Sequence, residues 1–414
     1  MATPTTRRAI RIITPGHIQI ESDVPAPRLR PDYLIAEAKA WALNPTDIAH
    51  VDKLGGPGTI VGCDWAGVVT AVGENVTRFK PGDAVSGVCH GGNIVEPEDG
   101  AYASIVISKE LATMHKPDNL SFGEAVSLGV GMATIGQAMY WIMKMRLPSA
   151  DETPEPIADP AVFVYGGSSA TGSLAIQAAK LSGYKVYTAC SPSNFDLVQS
   201  RGADGWFDYN EATCADDVLA TVTSNNSSIG YIIDCIGNEA SGTLCASILS
   251  PSGGHYHTIK PPVPGPFKTL RPEESAIGTT ALAYAMTGES FELPPGKVHP
   301  ADPDQAAFAR EWAVLGEKLL AAGKIKPHPV HVRQGGLEAV VAAIDEMRGS
   351  GPRGVKIVYI SNAHWTTLKI SGQLSEVHVH PMQPPPNPSD PTRECYIKDS
   401  PSHVVHMQNG LTLS

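Results

Sequence analysis

Apolar and polar positions fall into two textures along the chain. Over residues 1–125, the short β-type runs YLIAEAKA, AGVVTAVG, GDAVSGV and AYASIVIS are broken by Gly and Pro, which predicts a compact, mostly β region with tight turns. From Ser121 the spacing becomes helical in SFGEAVSLGVGMATIGQAMYWI, with Ser121 as N-cap and Glu124 at the capping-box position. The polar, proline-laden LPSADETPEPIADP then reads as a surface loop. Beyond it, AVFVY (161–165), KVYTAC (185–190), YIIDCIG (231–237) and GGHYHTI (253–259) are apolar runs separated by helix-length segments. That alternation predicts a parallel sheet covered on both faces. Two amphipathic helices, FAREWAVLGEKLLAAGKI and LEAVVAAIDEMRGS, precede a last strand, GVKIVYI. The proline-rich stretch from about Ser361 is expected to be disordered, with His378 and His380 solvated rather than holding a metal.

The chain's 414 residues suffice for two domains and a large core. Net charge is −11 and no apolar run of membrane length stands out, so neither nucleic acid nor a membrane is an expected partner. The N-terminus has no apolar core of secretory length. Seven scattered cysteines without a CxxC pair fit reduced thiols and a cytoplasmic location.

AVFVY runs directly into Gly166-Gly167-Ser168-Ser169-Ala170-Thr171-Gly172, and a helix follows. Strand, glycine turn and helix form the setting of a dinucleotide site: glycine lets the backbone approach the pyrophosphate, and free amides at the helix start take its charge. Aligned to G-x-G-x-x-G, the middle glycine is Ser169, and an ordinary tight turn has the same residues. Ser168, Ser169, Ala170 and Thr171 are the expected phosphate contacts. The second strand ends in Ser191-Pro192-Ser193-Asn194 with no acid at its tip. Neutral hydroxyls and an amide tolerate a 2′-phosphate where a carboxylate repels it, which favours NADPH; the same residues also suit a capped turn.

With NPTD (44–47), GCDWAGVVTAVGENVTRFKPGD (62–83) and YGGSSATG, the chain resembles the medium-chain dehydrogenase/reductase superfamily. YGGSSATG, AAKLSGYKVYTACSPSNFDLVQSRGAD, FDY and GGHYHTI narrow the resemblance to the fungal trans-acting enoyl reductases of highly reducing polyketide synthases, over about residues 10–360. The resemblance implies an α/β protein: a GroES-like, β-rich catalytic domain (1–125 and 300–360) around a Rossmann, doubly wound nucleotide domain (126–299). It implies NADPH-dependent reduction of an α,β-unsaturated acyl thioester carried by the acyl-carrier domain of a polyketide synthase or synthase–peptide synthetase hybrid. The trans-acting group tends to be monomeric, and dimers occur in the superfamily. Zinc is not expected, because Asn44 stands where zinc-using relatives have the first Cys, and Gly62-Cys63-Asp64 replaces Gly-His-Glu. Cys89-His90 reads as a turn.

Carried over by position, Thr46, Asp47, Ile48 and Ala49 lie on the nicotinamide side, and Thr134 meets the nicotinamide ribose or amide. Ser191, Pro192, Ser193, Asn194 and Tyr209 surround the adenosine end. Ile259, Lys260, Val355 and Lys356 complete the cofactor wall. Ser127, Leu128, Gly129, Val130, Gly131, Met132, Ala133 and Thr134 line the substrate slot, and Ala283, Tyr284, Ala285, Met286 and Thr287 shape the acyl pocket. One departure matters: relatives commonly carry a lysine important for reduction where this chain has Ala49. Asn44 as N-cap and Pro45 in the first turn predict a helix here. Lys53, at i+4 from Ala49, is on the same face and partly substitutes for it, or is a solvated surface lysine, while His50 faces elsewhere. Two other readings stay open: a non-redox relative guiding polyketide cyclisation or isomerisation, and a free-standing enone or quinone reductase.

Overall fold

The first antiparallel pair, β1 (Thr6–Thr14) and β2 (His17–Pro25), inserts Ala9, Ile10 and Ile12 into the core while Arg8, Arg11 and Glu21 take less buried positions. The computed structural model describes residues 5–361 apart from residues 274, 275, 281, 350 and 352. β3 (Tyr33–Ala42) is buried at nearly every position because it lies inside a sheet. A short helix, α1 (Pro45–Ala49), leads to β4 (Asp64–Val72), β5 (Ala84–Val88), β6 (Ile105–Lys109) and β7 (Thr113–His115). These match the β-rich pattern of the sequence.

α2 (Phe122–Ala125) begins with the expected capping box: Glu124 N–H donates to Ser121 Oγ at 3.2 Å, and Ser121 N–H to Glu124 Oε2 at 2.9 Å. α3 (Gly129–Ile135) follows and continues as a π-helical turn, Gly136–Ile142. Contrary to the reading of the sequence, Phe122–Ile142 is long and apolar enough to cross a membrane on length and composition alone. In the fold 72% of it is buried, with Met132, Ile135 and Met139 packed on Leu174 and Ile176.

The next block alternates strand and helix: β8 (Ile157–Tyr165), α4 (Ala170–Leu181), β9 (Tyr184–Cys190), α5 (Phe195–Ser200), β10 (Gly205–Asp208), α6 (Cys214–Ser224), β11 (Ile229–Asp234), α7 (Glu239–Ile248), β12 (Gly254–Thr258), α8 (Gly265–Leu270) and β13 (Ala276–Thr280). All six strands are parallel, in the order β10-β9-β8-β11-β12-β13. Separate apolar clusters cover its two faces: Val162, Val164 and Val186 point to one, Ala161, Phe163 and Tyr187 to the other. Burying a side chain such as Phe163 completely contributes roughly 1.5–3 kcal/mol. β8 starts earlier than expected, since Ile157 pairs with Tyr184; the end of the presumed surface loop is strand.

A small pair, β14 (Phe291–Glu292) and β15 (Val298–His299), precedes α9 (Pro303–Ala321), β16 (Val330–Arg333), α10 (Gly336–Arg348) and β17 (Lys356–Ile360). β17 returns to pair antiparallel with β3, giving the order β16-β17-β3-β4-β5-β7, with β6 also on β3. The last described strand thereby brings Lys356 beside the start of β4. Except for Ser361, the expected disordered tail lies outside the described residues.

Candidate active site

The glycine turn lies where the strand order reverses, between β8 and β11, the switch point at which open α/β sheets bind ligands. Ser169 caps α4, its Oγ accepting the Gly172 amide at 3.0 Å. The backbone at Gly167 is pressed against β9: a Cβ there would stand 2.0 Å from Thr188 Oγ1, which is itself fixed by a 2.6 Å bond to Val164 O. Only glycine fits this approach. The first-turn amides of a helix have no intrahelical acceptor. Here they belong to Ala170 and Thr171, half-exposed at the start of a twelve-residue helix. This cradle fits a pyrophosphate.

At the tip of β9, Ser191 Oγ and Tyr209 OH are 3.0 Å apart. Pro192–Asn194 form a 3-10 turn, with Pro192 and Ser193 exposed. The backbone at Gly354 abuts the Asn194 side chain, so the segment before Val355 reaches the same corner. An acid the sequence reading passed over, Asp208, ends the neighbouring β10 opposite Cys190, and its Oδ1 accepts from Asn210. Ile259, whose amide donates to Asp234 O at 3.1 Å, and exposed Lys260 follow β12 beside the end of β11. The candidate cofactor residues of this lobe therefore gather along one edge of the sheet.

α3 packs on α4 and connects this edge to a second group of residues. The amide of Val130 donates to Asp64 Oδ1 at 2.7 Å. Asp64 Oδ2 accepts from Asn44 Nδ2 at 2.9 Å and from Lys356 Nζ at 2.5 Å, and Lys356 also donates to Asn44 Oδ1 at 2.8 Å. Asn44 is the N-cap residue of α1, yet its side chain goes to this ion pair; the helix start is held instead by Asp47 Oδ2, which accepts the Asn44 amide at 2.7 Å. Tyr102 OH donates to the same oxygen at 2.6 Å. Burial raises the Asp47 carboxyl to about 6, against those hydrogen bonds. Asp47 is thus a buried capping group. Ser127 is likewise buried and bonds back to Glu124 O at 2.7 Å, whereas Thr134 is half-exposed on α3.

Tyr284 lies in a 3-10 turn (Ala283–Thr287) with its hydroxyl 3.3 Å from Thr46 Oγ1 and 3.4 Å from Cys63 Sγ. Its ring stacks on His90 at 3.9 Å between centroids, and His50 meets it edge-on at 5.6 Å. Val130, Leu54 and Val88 pack around them. His50 Nδ1 is 2.7 Å from Thr46 O; a carbonyl only accepts, so Nδ1 carries the hydrogen and Nε2 is a bare acceptor. Nε2 of both His50 and His90 is buried without a partner. Burial lowers the pKa of both imidazoles, that of His90 to about 3, so both are neutral at pH 7.

Lys53 is not among the buried residues of the site. After α1 the chain widens into a π-helical turn, His50–Leu54, closed by a 2.8 Å bond from the Gly55 amide to His50 O, five residues back. Lys53 is exposed there, whereas His50 is buried. The reading of Cys89-His90 as a turn missed the stacked imidazole. The buried lysine of the site is Lys356.

The model of the alcohol dehydrogenase GroES-like domain matches residues 30–118. A trans-enoyl reductase of Aspergillus sclerotiorum, resD, is 36% identical over 362 residues, covering 85% of this chain and 99% of that protein. The chain belongs to the fungal trans-enoyl reductases. Another trans-enoyl reductase, TOXD of Cochliobolus carbonum, is 42% identical over 288 residues, 69% of this chain and 92% of the relative. Among solved structures, the CurK enoyl reductase matches with a TM-score of 0.62 at 18% identity, and the quinone oxidoreductase of Coxiella burnetii with 0.63 at 21%, each covering 86% of this chain and 99% of its own. Both share the fold, a GroES-like region with a Rossmann-type parallel sheet. This trans-enoyl reductase is a medium-chain oxidoreductase of the kind that uses a nicotinamide cofactor.

Proposed function

We propose that this trans-enoyl reductase uses NADPH to reduce an α,β-unsaturated acyl thioester presented by the acyl-carrier domain of a polyketide synthase or a synthase–peptide synthetase hybrid. The bound nicotinamide supplies hydride to the β-carbon. The observation that carries the reading is the geometry of α3, which touches the dinucleotide cradle through α4 and the pocket of Thr46, Cys63 and Tyr284 through Val130.

The chain's residues divide the remaining work. Ala170 and Thr171 amides, with the Ser168 and Ser169 hydroxyls, hold the pyrophosphate, and Ser191, Asn194 and Tyr209 hold the adenosine end. The absence of an acid at the tip of β9 supports NADPH over NADH. The Asn44–Asp64–Lys356 knot fixes the start of α3, so the substrate slot along residues 127–134 keeps its position relative to Thr46. Val130, Leu54 and Val88 give the site an apolar wall. The lobes run as residues 1–125 with 300–360, and 126–299, and the enzyme works as a cytoplasmic monomer.

Ala49, without the lysine of relatives, favours a second reading, a binding protein that guides cyclisation without redox chemistry. One assay separates them: the protein, NADPH and a crotonyl thioester of pantetheine are mixed, and absorbance at the nicotinamide band is followed. Oxidation supports the reductase. Tight NADPH binding without oxidation supports the second reading, and oxidation only with free enones or quinones makes the protein a free-standing reductase.

A further inference from the structure

A reductase of thioesters must hold the carbonyl oxygen as charge moves onto it, and the donor must be in place before the reaction starts. On α1, Ala49 has no polar head, and Lys53 is exposed on the π-helical turn. One group in the pocket has the required properties. The Tyr284 side chain is 8% exposed, and its ring is held by the stack on His90, the edge of His50 and a T-shaped contact with Phe291 at 6.0 Å. Its hydroxyl is poorly served. Its contact with Thr46 Oγ1, 3.3 Å, is long against the about 2.7–2.8 Å usual for O–H···O bonds, and its other neighbour, at 3.4 Å, is the Cys63 sulfur, a weak acceptor. A ring fixed on three sides with an under-used O–H is a preorganised donor. The pocket around it offers further unpaired polar atoms, Nε2 of His50 and of His90, which are 1% and 7% exposed.

We propose that Tyr284 is a catalytic residue of this reductase, its phenol donating a hydrogen bond to the thioester carbonyl oxygen in the position where Thr46 and Cys63 now receive it. This rests on the reductase reading above. In the step, hydride from reduced nicotinamide forms the new C–H bond at the β-carbon, the alkene π pair moves toward the carbonyl, and the enolate oxygen takes the phenol's hydrogen bond. The phenol keeps its proton; the α-carbon receives its proton from water, and no bond to Tyr284 is made or broken. Burial holds the phenol well above its ordinary pKa, which keeps it a donor at neutral pH.

Tyr284→Phe removes the hydroxyl and retains the stacked ring, so the fold is kept; unfolding midpoints and NADPH binding by calorimetry are expected to match the parent. With the crotonyl thioester, kcat should fall about 100-fold, the loss typical of one oxyanion donor, while KM changes little and Lys53→Ala has no effect. A second readout needs no turnover. Acetoacetyl-pantetheine bound to the parent should show a stronger near-ultraviolet enolate band than the free thioester, and Tyr284→Phe should abolish the increase. Equal kcat in parent and Tyr284→Phe, or an enolate band that does not respond to the substitution, overturns the role of Tyr284. An inert parent whose enolate band still depends on Tyr284 supports the donor and overturns the hydride reading instead.

Discussion

Replacing Lys356 with Met tests the knot that fixes α3. Lys356 Nζ lies 2.5 Å from Asp64 Oδ2 and 2.8 Å from Asn44 Oδ1, with side-chain exposures of 4% and 0% for the ion pair. Methionine preserves the length of the chain and removes the charge. Asp64 then keeps only neutral donors, the Val130 amide and Asn44 Nδ2, at a fully buried position. Breaking a buried pair from one side typically costs about 3–5 kcal/mol, because the surviving charge is uncompensated. A fold of ordinary stability, about 5–15 kcal/mol, survives that loss. The double variant Lys356→Met/Asp64→Asn removes the stranded charge, and the Asn carbonyl still accepts from Val130. Its stability should exceed that of Lys356→Met, giving a coupling of about 2 kcal/mol between the sites. Urea unfolding followed by circular dichroism and tryptophan fluorescence measures all four corners of the cycle. A Lys356→Met midpoint equal to the parent's, or strictly additive effects, would refute the reasoning.

Three further outcomes are expected. Gly167→Ala puts a methyl 2.0 Å from Thr188 Oγ1, so the turn must shift, and NADPH affinity by calorimetry should drop about tenfold or more, about 1.4 kcal/mol; an unchanged affinity would count against the cradle. Gly129→Ala places a Cβ 2.6 Å from both Asp64 Oδ1 and Gly87 O, and should destabilise the fold by about 1–3 kcal/mol through overpacking and lower kcat by moving α3, whereas a silent substitution would show that α3 tolerates displacement. Asp47, with a folded pKa raised to about 6, contributes stability that is fully present below about pH 4 and lost as pH rises through 6. Asp47→Asn does not titrate, so its stability relative to the parent should rise by about 2–3 kcal/mol between pH 4 and 7; parallel pH profiles from urea midpoints would contradict the shift.

The parallel sheet was legible because its strands are buried on both faces and read as unbroken apolar runs, and the glycine turn because strand and helix flank it directly. β1 and β2 were harder to see, since their Arg, Gln and Glu positions blur the alternation of a half-exposed hairpin. Local signals cannot reveal the Asn44–Asp64–Lys356 knot: Lys356 is 292 residues from Asp64 and 312 from Asn44, and only the antiparallel return of β17 brings them together. Asn44 is the N-cap residue of α1, but its side chain also joins the ion pair, and Asp47 Oδ2 takes the Asn44 amide. Lys53 shows a different limit: i+4 spacing gives the face of a helix but not whether that face is buried, and here His50 is buried while Lys53 is exposed. The stacking of His90 on Tyr284 likewise joins residues from a turn and a distant 3-10 segment, with no spacing rule to announce it.

The most direct measurement of the central claim is the fate of a labelled hydride. Parent enzyme, NADPH deuterated at the transferable nicotinamide position and a crotonyl-loaded acyl-carrier domain are incubated, and the acyl group is examined by mass spectrometry. The account predicts a saturated acyl chain with one deuterium at the β-carbon. Unreduced crotonyl thioester in the presence of tightly bound NADPH, or a reduced chain without deuterium, would contradict it.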